Sequence, residues 1–106
     1  MFYRFVVNLK SNDMIRINCF ISVSEDNREK VLEAAKRLTA ASLKQDGCIA
    51  YDIFESATRP EVLMICETWR DKEVLDAHSA SQVFHDEVSI MHESAQMKLE
   101  TFEMHK

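Results

Sequence analysis

Apolar residues fall at every second position from Ile15 through Ile17, Cys19 and Ile21 to Val23, with Arg16, Asn18 and Ser22 between them. That alternation predicts a half-buried β-strand, because successive side chains of a strand point to opposite faces. Phe20 makes the second face partly apolar as well. The period then changes. Ser24 or Asp26 can cap a helix, Glu29 stands three residues after Asp26, and Val31, Ala35, Leu38 and Ser42 follow one helical stripe beside Leu32. This helix is expected to stop at Gly47, a residue free to adopt the left-handed conformation of a terminator. Cys48 to Glu55 and Val62 to Trp69 are two β-type runs, joined by Ser56-Ala57-Thr58-Arg59-Pro60-Glu61, where Pro60 suits a turn. They predict a hairpin. Asp71 can cap a short helix reaching about His78. After a polar break at Ser79-Ala80-Ser81, a second helical run places Phe84, Val88, Met91 and Ala95 on one face. Met97 to Met104 reads as a last strand.

The order strand, helix, strand, strand, helix, strand defines an α+β class, the ferredoxin-like βαββαβ unit, with two helical segments on one face of an antiparallel sheet. The other face is left needing cover, and a second copy of the chain supplies it most simply, so a homodimer is expected. Residues 14–106 form this domain. Residues 1–13 precede it as an extension, in which Phe5-Val6-Val7-Asn8-Leu9 suits an extra edge strand and Ser11-Asn12-Asp13 a linker.

Composition narrows the partners. A chain of 106 residues that is 46% hydrophobic has material for one core but not for two domains of ordinary size. Its formal charge of -5 comes from interspersed acids and bases and offers no basic stripe for a phosphate backbone, so nucleic acid is not an expected partner. No apolar run is long enough to span a bilayer, and the Met1 to Val7 stretch is interrupted by Arg4, which argues against a signal core. A cytoplasmic protein without a membrane partner is expected. Cys19, Cys48 and Cys66 show neither CxxC nor Cys/His spacing and read as small core hydrophobes in a reducing compartment.

His78, His85 and His92 recur every seven residues. On a continuous helix such neighbours are about 10 Å apart at a rise of about 1.5 Å per residue, too far to share one ion bound at about 2 Å. No metal site is expected from them. His85 lies near enough to the apolar face to be kept as a site candidate, whereas His92 does not. His78, near a helix end, can instead serve the last carbonyls. Glu67 reads first as a salt-bridge partner of Arg16 or Arg70 and second as a site group. Trp69 suits a core anchor as well as a pocket wall, Tyr51 reads first as core, and Asn18 can simply bond backbone at an edge.

Three segments carry a family likeness: Asp46-Gly47-Cys48-Ile49-Ala50-Tyr51, then Glu67-Thr68-Trp69, then Leu75-Asp76-Ala77-His78 followed by Ser81 to Phe84. In order and spacing they resemble the antibiotic biosynthesis monooxygenase domain family, which includes small quinol monooxygenases, and the likeness runs from about Met14 to Met104. One departure is Ser79-Ala80-Ser81-Gln82, where the family usually carries a proline-containing segment. The resemblance implies a dimeric α+β barrel with a pocket between sheet and helices in each subunit. It further implies oxidation of a quinol or polyaromatic phenol by O₂ without metal, flavin or other cofactor. An electron-rich phenol, once deprotonated, can itself reduce O₂, so the protein has to bind it, take its proton and stabilise the anion. On this reading Trp69 and Phe84 are walls, His78 or His85 the base, Asn18 or Tyr51 hydrogen-bond donors, and Glu67 a further pocket group. Two other activities attach to similar relatives: haem degradation, through the likeness at Asn18 and Trp69, and isomerisation or degradation of a small phosphorylated signal, through the Gly47 and His78 segments. A non-enzymatic ligand-binding dimer shares the same fold.

Overall fold

The computed structural model describes residues 13–104. The expected extra strand at Phe5 to Leu9 lies outside these residues. Strand β1 (Met14–Val23) leads into helix α1 (Glu25–Ser42), the β2–β3 hairpin (Cys48–Glu55 and Val62–Trp69), helices α2 (Lys72–Ala80) and α3 (Gln82–Ser94), and strand β4 (Ala95–Met104). The strands form one antiparallel sheet in the order β2-β3-β1-β4. This is the ferredoxin-like α+β architecture that the periodicity predicts.

Strand β1 is central, and its alternation sorts the sheet into two faces. Ile15, Ile17, Cys19, Ile21 and Val23 are buried on the helix side. Directly opposite them on β3 stand Trp69, Glu67, Ile65 and Leu63, and these meet Val31, Ala34, Ala35 and Leu38 of α1 and Met91 of α3 in one core. The outer face carries Arg16, Asn18, Phe20 and Ser22. Across that face Phe54, Met64, Phe20 and Lys98 form one row, and Asp52, Cys66, Asn18 and Glu100 the next.

Helix α1 ends at Ser42, well before Gly47. The stripe supplies the reason: its last inward member is Ser42, and the next apolar residue, Leu43, is exposed. The chain then makes short-range turns, with the Lys44 N–H bonded to the Ala41 carbonyl and the Gln45 N–H to that of Ser42. Gly47 does adopt the left-handed conformation, at φ 78°, but it launches β2. A register shift follows between Cys48 and Ala50, so that Cys48 sits opposite Trp69 and Ile49 is left exposed. Tyr51 then lies opposite Glu67 on the helix side.

Helices α2 and α3 are separate, with Ser81 alone between them; Ser79 and Ala80 belong to α2. The Ser81 hydroxyl donates to the His78 carbonyl at 2.6 Å and accepts the Phe84 N–H at 3.3 Å. One side chain thus closes the first helix and caps the second. Ala95, expected on the second helical face, instead begins β4, where its pairing with Val23 ends the helix.

Gly47 also fixes where α2 sits. A Cβ at this position would lie 2.5 Å from Val74 Cγ2, so the glycine backbone is packed directly on α2, one turn before His78. Gly47→Ala is expected to destabilise the fold by about 2 kcal/mol or more, through both the left-handed backbone and the clash. Val74→Ala in the same chain should not recover that loss, because the Val74 Cβ itself would stand 2.6 Å from the added methyl. Urea unfolding of the single and double variants is the check, and an unchanged midpoint for Gly47→Ala would sink the account.

Candidate active site

Between the sheet and the helices lies a cavity of about 330 Å³. Its floor is Ile17, Cys19, Ile65 and Leu99 of the sheet, and Leu38, Leu75, Val88 and Met91 line its helical side. Its polar groups are concentrated where β3 meets α2, at Tyr51, Glu67 and His78. His92 and Ser79 also line it.

Glu67 is the group whose presence there requires explanation. Strand alternation places residues 67 and 69 on one face, and the Trp69 indole N–H donates to Glu67 Oε1 at 2.8 Å. Both side chains are buried. Loss of water disfavours the carboxylate more than the indole hydrogen bond favours it, so the Glu67 pKa is pushed up to about 7. Neither Arg16 nor Arg70 is its partner, contrary to the salt bridge expected from sequence. Arg16 stands opposite Thr68 on the outer face, and Arg70 pairs with Asp46 and Asp71. The register determines this outcome, since Ile17 is the residue opposite Glu67.

His78 comes to the same place from α2. Its ring lies 4.4 Å from that of Trp69 and tilted 35° to it, with Phe84 edge-on at 5.1 Å and Tyr51 at 5.7 Å. Nδ1 is 2.7 Å from Gln45 Oε1. Nε2 is buried with no hydrogen-bond partner and stands 4.0 Å from Glu67 Oε1, beyond hydrogen-bond reach. Burial among aromatic rings pushes the His78 pKa down to about 4, so the ring is neutral at physiological pH. The two groups are therefore a neutral imidazole and a carboxyl that titrates near 7. A ligand oxygen could lie within about 2.8 Å of both once the side chains that cover Nε2 part to admit it.

Of the residues expected in the site, Tyr51, Glu67, Trp69, His78 and Phe84 are brought together. Trp69 is fully buried behind Glu67 and His78 and does not form cavity wall. Asn18 is on the opposite face of the sheet, where its amide N–H donates to Glu100 Oε1 at 3.4 Å. The same alternation that buries Ile17 and Cys19 turns Asn18 away. His85 is exposed and outside the cavity, whereas His92, set aside on sequence, lies at its edge. Seven residues are about 20° short of two full turns, so the two histidines lie almost in line along α3 and only that small rotation brings His92 nearer the stripe. Gln45 was not singled out, and nothing in its local sequence pointed to a contact 33 positions away. The motif order around it did mark the loop.

The chain belongs to the antibiotic biosynthesis monooxygenase family, whose model matches residues 14–88. Among solved structures it is similar to a conserved Bacteroides thetaiotaomicron protein of unknown function, described as a possible oxidoreductase. That protein is 60% identical, with 88% of this chain and 99% of that one covered at a TM-score of 0.86. A 76-residue stretch is 28% identical to an uncharacterised Synechocystis protein, covering 72% of this chain and 52% of the relative, so the match spans about half of that protein's length. A further 71 residues' match, also 28% identical, covers 67% of this chain and 75% of a Bacillus subtilis protein, YcnE, provisionally named a monooxygenase.

The two shifted groups give the fold an unusual pH response. Below its ordinary value of 6.5, His78 takes up a proton in the unfolded chain but not in the folded one, so stability falls as pH drops from 6.5 towards 4. Glu67 keeps its proton in the folded state between 4.5 and about 7, so its contribution is lost as pH rises through that window. Glu67→Gln removes the second slope and leaves the first. Relative to wild type, the variant should gain stability between pH 5 and pH 8, by as much as about 3 kcal/mol. Denaturant unfolding at the two pH values measures this, and an equal difference at both would refute the burial of a titrating carboxyl.

Proposed function

We propose that the protein is a cofactor-independent monooxygenase that oxidises a quinol or a related polyaromatic phenol with O₂. The observation that carries the reading is the Glu67–His78 pair at the polar end of an otherwise apolar cavity. An apolar wall suits a flat aromatic body, and a hydroxyl at its end reaches the pair. Glu67 is the proton acceptor: its pKa of about 7 matches the operating pH, whereas a histidine titrating near 4 is a weak base. On docking, the hydroxyl donates its one hydrogen to His78 Nε2, which orients the ring, and then turns it to the ionised Glu67 for transfer. The phenolate so formed donates an electron to O₂; the carbon radical and superoxide combine to a peroxide, which leaves one oxygen on the product and one in water. Membership of the monooxygenase family supports the same class of chemistry.

The other two activities find less support. Haem degradation drew on Asn18, which faces away from the cavity. A phosphorylated sugar-like substrate needs a cation near its phosphate, and no Lys or Arg is among the described residues that line the cavity.

We also propose that the working form is a homodimer closed over the outer sheet face. There Phe20 is 37% and Phe54 48% exposed, in one row across the strands with Met64 between them. Light scattering should show a dimer for the wild type and a monomer for Phe20→Glu with Phe54→Glu; a monomeric wild type would remove this part of the reading.

Oxygen uptake by the purified protein with a panel of reduced quinols and anthrones tests the activity. Uptake should rise with pH through about 7 as Glu67 ionises. Glu67→Gln should lower kcat/KM by about 10²- to 10⁴-fold and abolish that limb. Uptake no faster than without protein, or indifferent to Glu67→Gln, would defeat the proposal.

A further inference from the structure

His78 stands between two different surroundings. Its Nδ1 edge meets Gln45, which lines a separate exposed crevice of about 270 Å³ with Asp46 and Glu73, while its Nε2 edge meets Glu67 and the apolar cavity. Gln45 is not a free surface side chain. Its N–H is bonded to the Ser42 carbonyl at 3.0 Å and its own carbonyl accepts the Cys48 N–H at 3.2 Å, so the backbone is held on both sides and the amide is aimed at the ring.

A neutral imidazole carries one proton, and the two possible placements are not equivalent here. With the proton on Nδ1, the N–H donates to Gln45 Oε1 at 2.7 Å and Nε2 keeps a lone pair. With the proton on Nε2, a buried N–H would have no acceptor, because Glu67 Oε1 is 4.0 Å away and tied to Trp69. A buried unpaired donor is the rarer and costlier defect in folded proteins. The first placement is therefore favoured, and the lone pair it leaves at Nε2 is the orphaned atom on the Glu67 side of the ring.

We infer that Gln45 is a positioning residue that locks His78 in the Nδ1–H form, and that the cavity consequently selects ligands presenting an O–H donor over equally sized ligands that can only accept. The selectivity rests on the phenol-binding reading above; the lock on the tautomer does not. Its chemical meaning is a distinction between substrate and product. A quinol hydroxyl satisfies Nε2, and the carbonyl that replaces it on oxidation sets lone pair against lone pair, so oxidation itself weakens the hold on the product.

Two measurements at pH 8, where Glu67 is mostly ionised and cannot supply a proton to a carbonyl, test the inference. Nitrogen-15 spectra of the His78 ring should show Nδ1 protonated and Nε2 bare in wild type. Gln45→Leu should lose that preference, and Gln45→Glu, whose carboxylate favours the imidazolium, should carry a proton on Nε2 to higher pH than wild type. A proton on Nε2 in wild type, or a tautomer unchanged in Gln45→Leu, would overturn the lock. Titration with 2-naphthol and with 2-methoxynaphthalene should show the naphthol bound about tenfold or more tightly by wild type, and the preference should shrink to about threefold or less in Gln45→Leu. Equal binding of the two by wild type, or a preference unchanged in Gln45→Leu, which the Glu67 carboxylate alone would explain, would overturn the selectivity while leaving phenol binding in place. Binding of neither would overturn the function proposed above together with the selectivity, and the ring spectra would still decide the role of Gln45.

Discussion

Keeping a carboxyl group in an apolar interior is the demand around which this site is organised. Glu67 lies on the buried face of a central hairpin strand, and the indole of Trp69, two residues on and on the same face, supplies its hydrogen bond at 2.8 Å. That donor has to be held rigidly, because any rotation of the indole would leave the carboxylate without it. Complete burial of Trp69 against the core and the stacked ring of His78 provide the rigidity. The same stacking excludes water from the imidazole. One constraint therefore shifts both ionisable groups, raising the acid until it titrates near neutrality and lowering the base until it is uncharged there.

Much of the fold was legible because its strands obey a strict period of two and its helices carry apolar stripes. The β1 alternation gave both the strand and its buried side, and the motif order placed the hairpin and the α2 cap at Asp71, whose carboxylate accepts the Val74 N–H at 3.0 Å. The site was legible in part. Glu67 and Trp69 share a strand face by spacing alone, and that relation could have indicated their bond before any charge partner was sought. The family likeness points to Asn18 against the alternation of its own strand, and the alternation prevails in the structure. What spacing could not supply was long-range registration. The Gln45–His78 contact depends on where a five-residue turn deposits its side chain after α1 ends at Ser42. The choice between His85 and His92 depends on about 20° of helix rotation, finer than a stripe of apolar residues resolves.

The low charge of the cavity bears on what it can hold. An ionised carboxylate surrounded by Ile, Leu and Met side chains would attract a cation, and an imidazolium would attract an anion. With the imidazole neutral and the carboxyl exchanging its charge for a proton near pH 7, the cavity presents directional hydrogen bonding with at most one charge. Ligand orientation is then set by which atoms donate and which accept.

The Ser81 junction has a consequence for how such a protein diversifies. Joined by a single residue, α2 and α3 are a jointed arm that carries His78, Phe84, Val88, Met91 and His92, while Tyr51, Glu67 and Trp69 belong to the sheet. Substitution or lengthening at the joint would re-aim one wall of the cavity without disturbing the acid or its indole support. Descendants of a common ancestor could thus exchange one ligand shape for another by edits to a few positions, retaining an inherited buried carboxyl while its enclosure is redrawn.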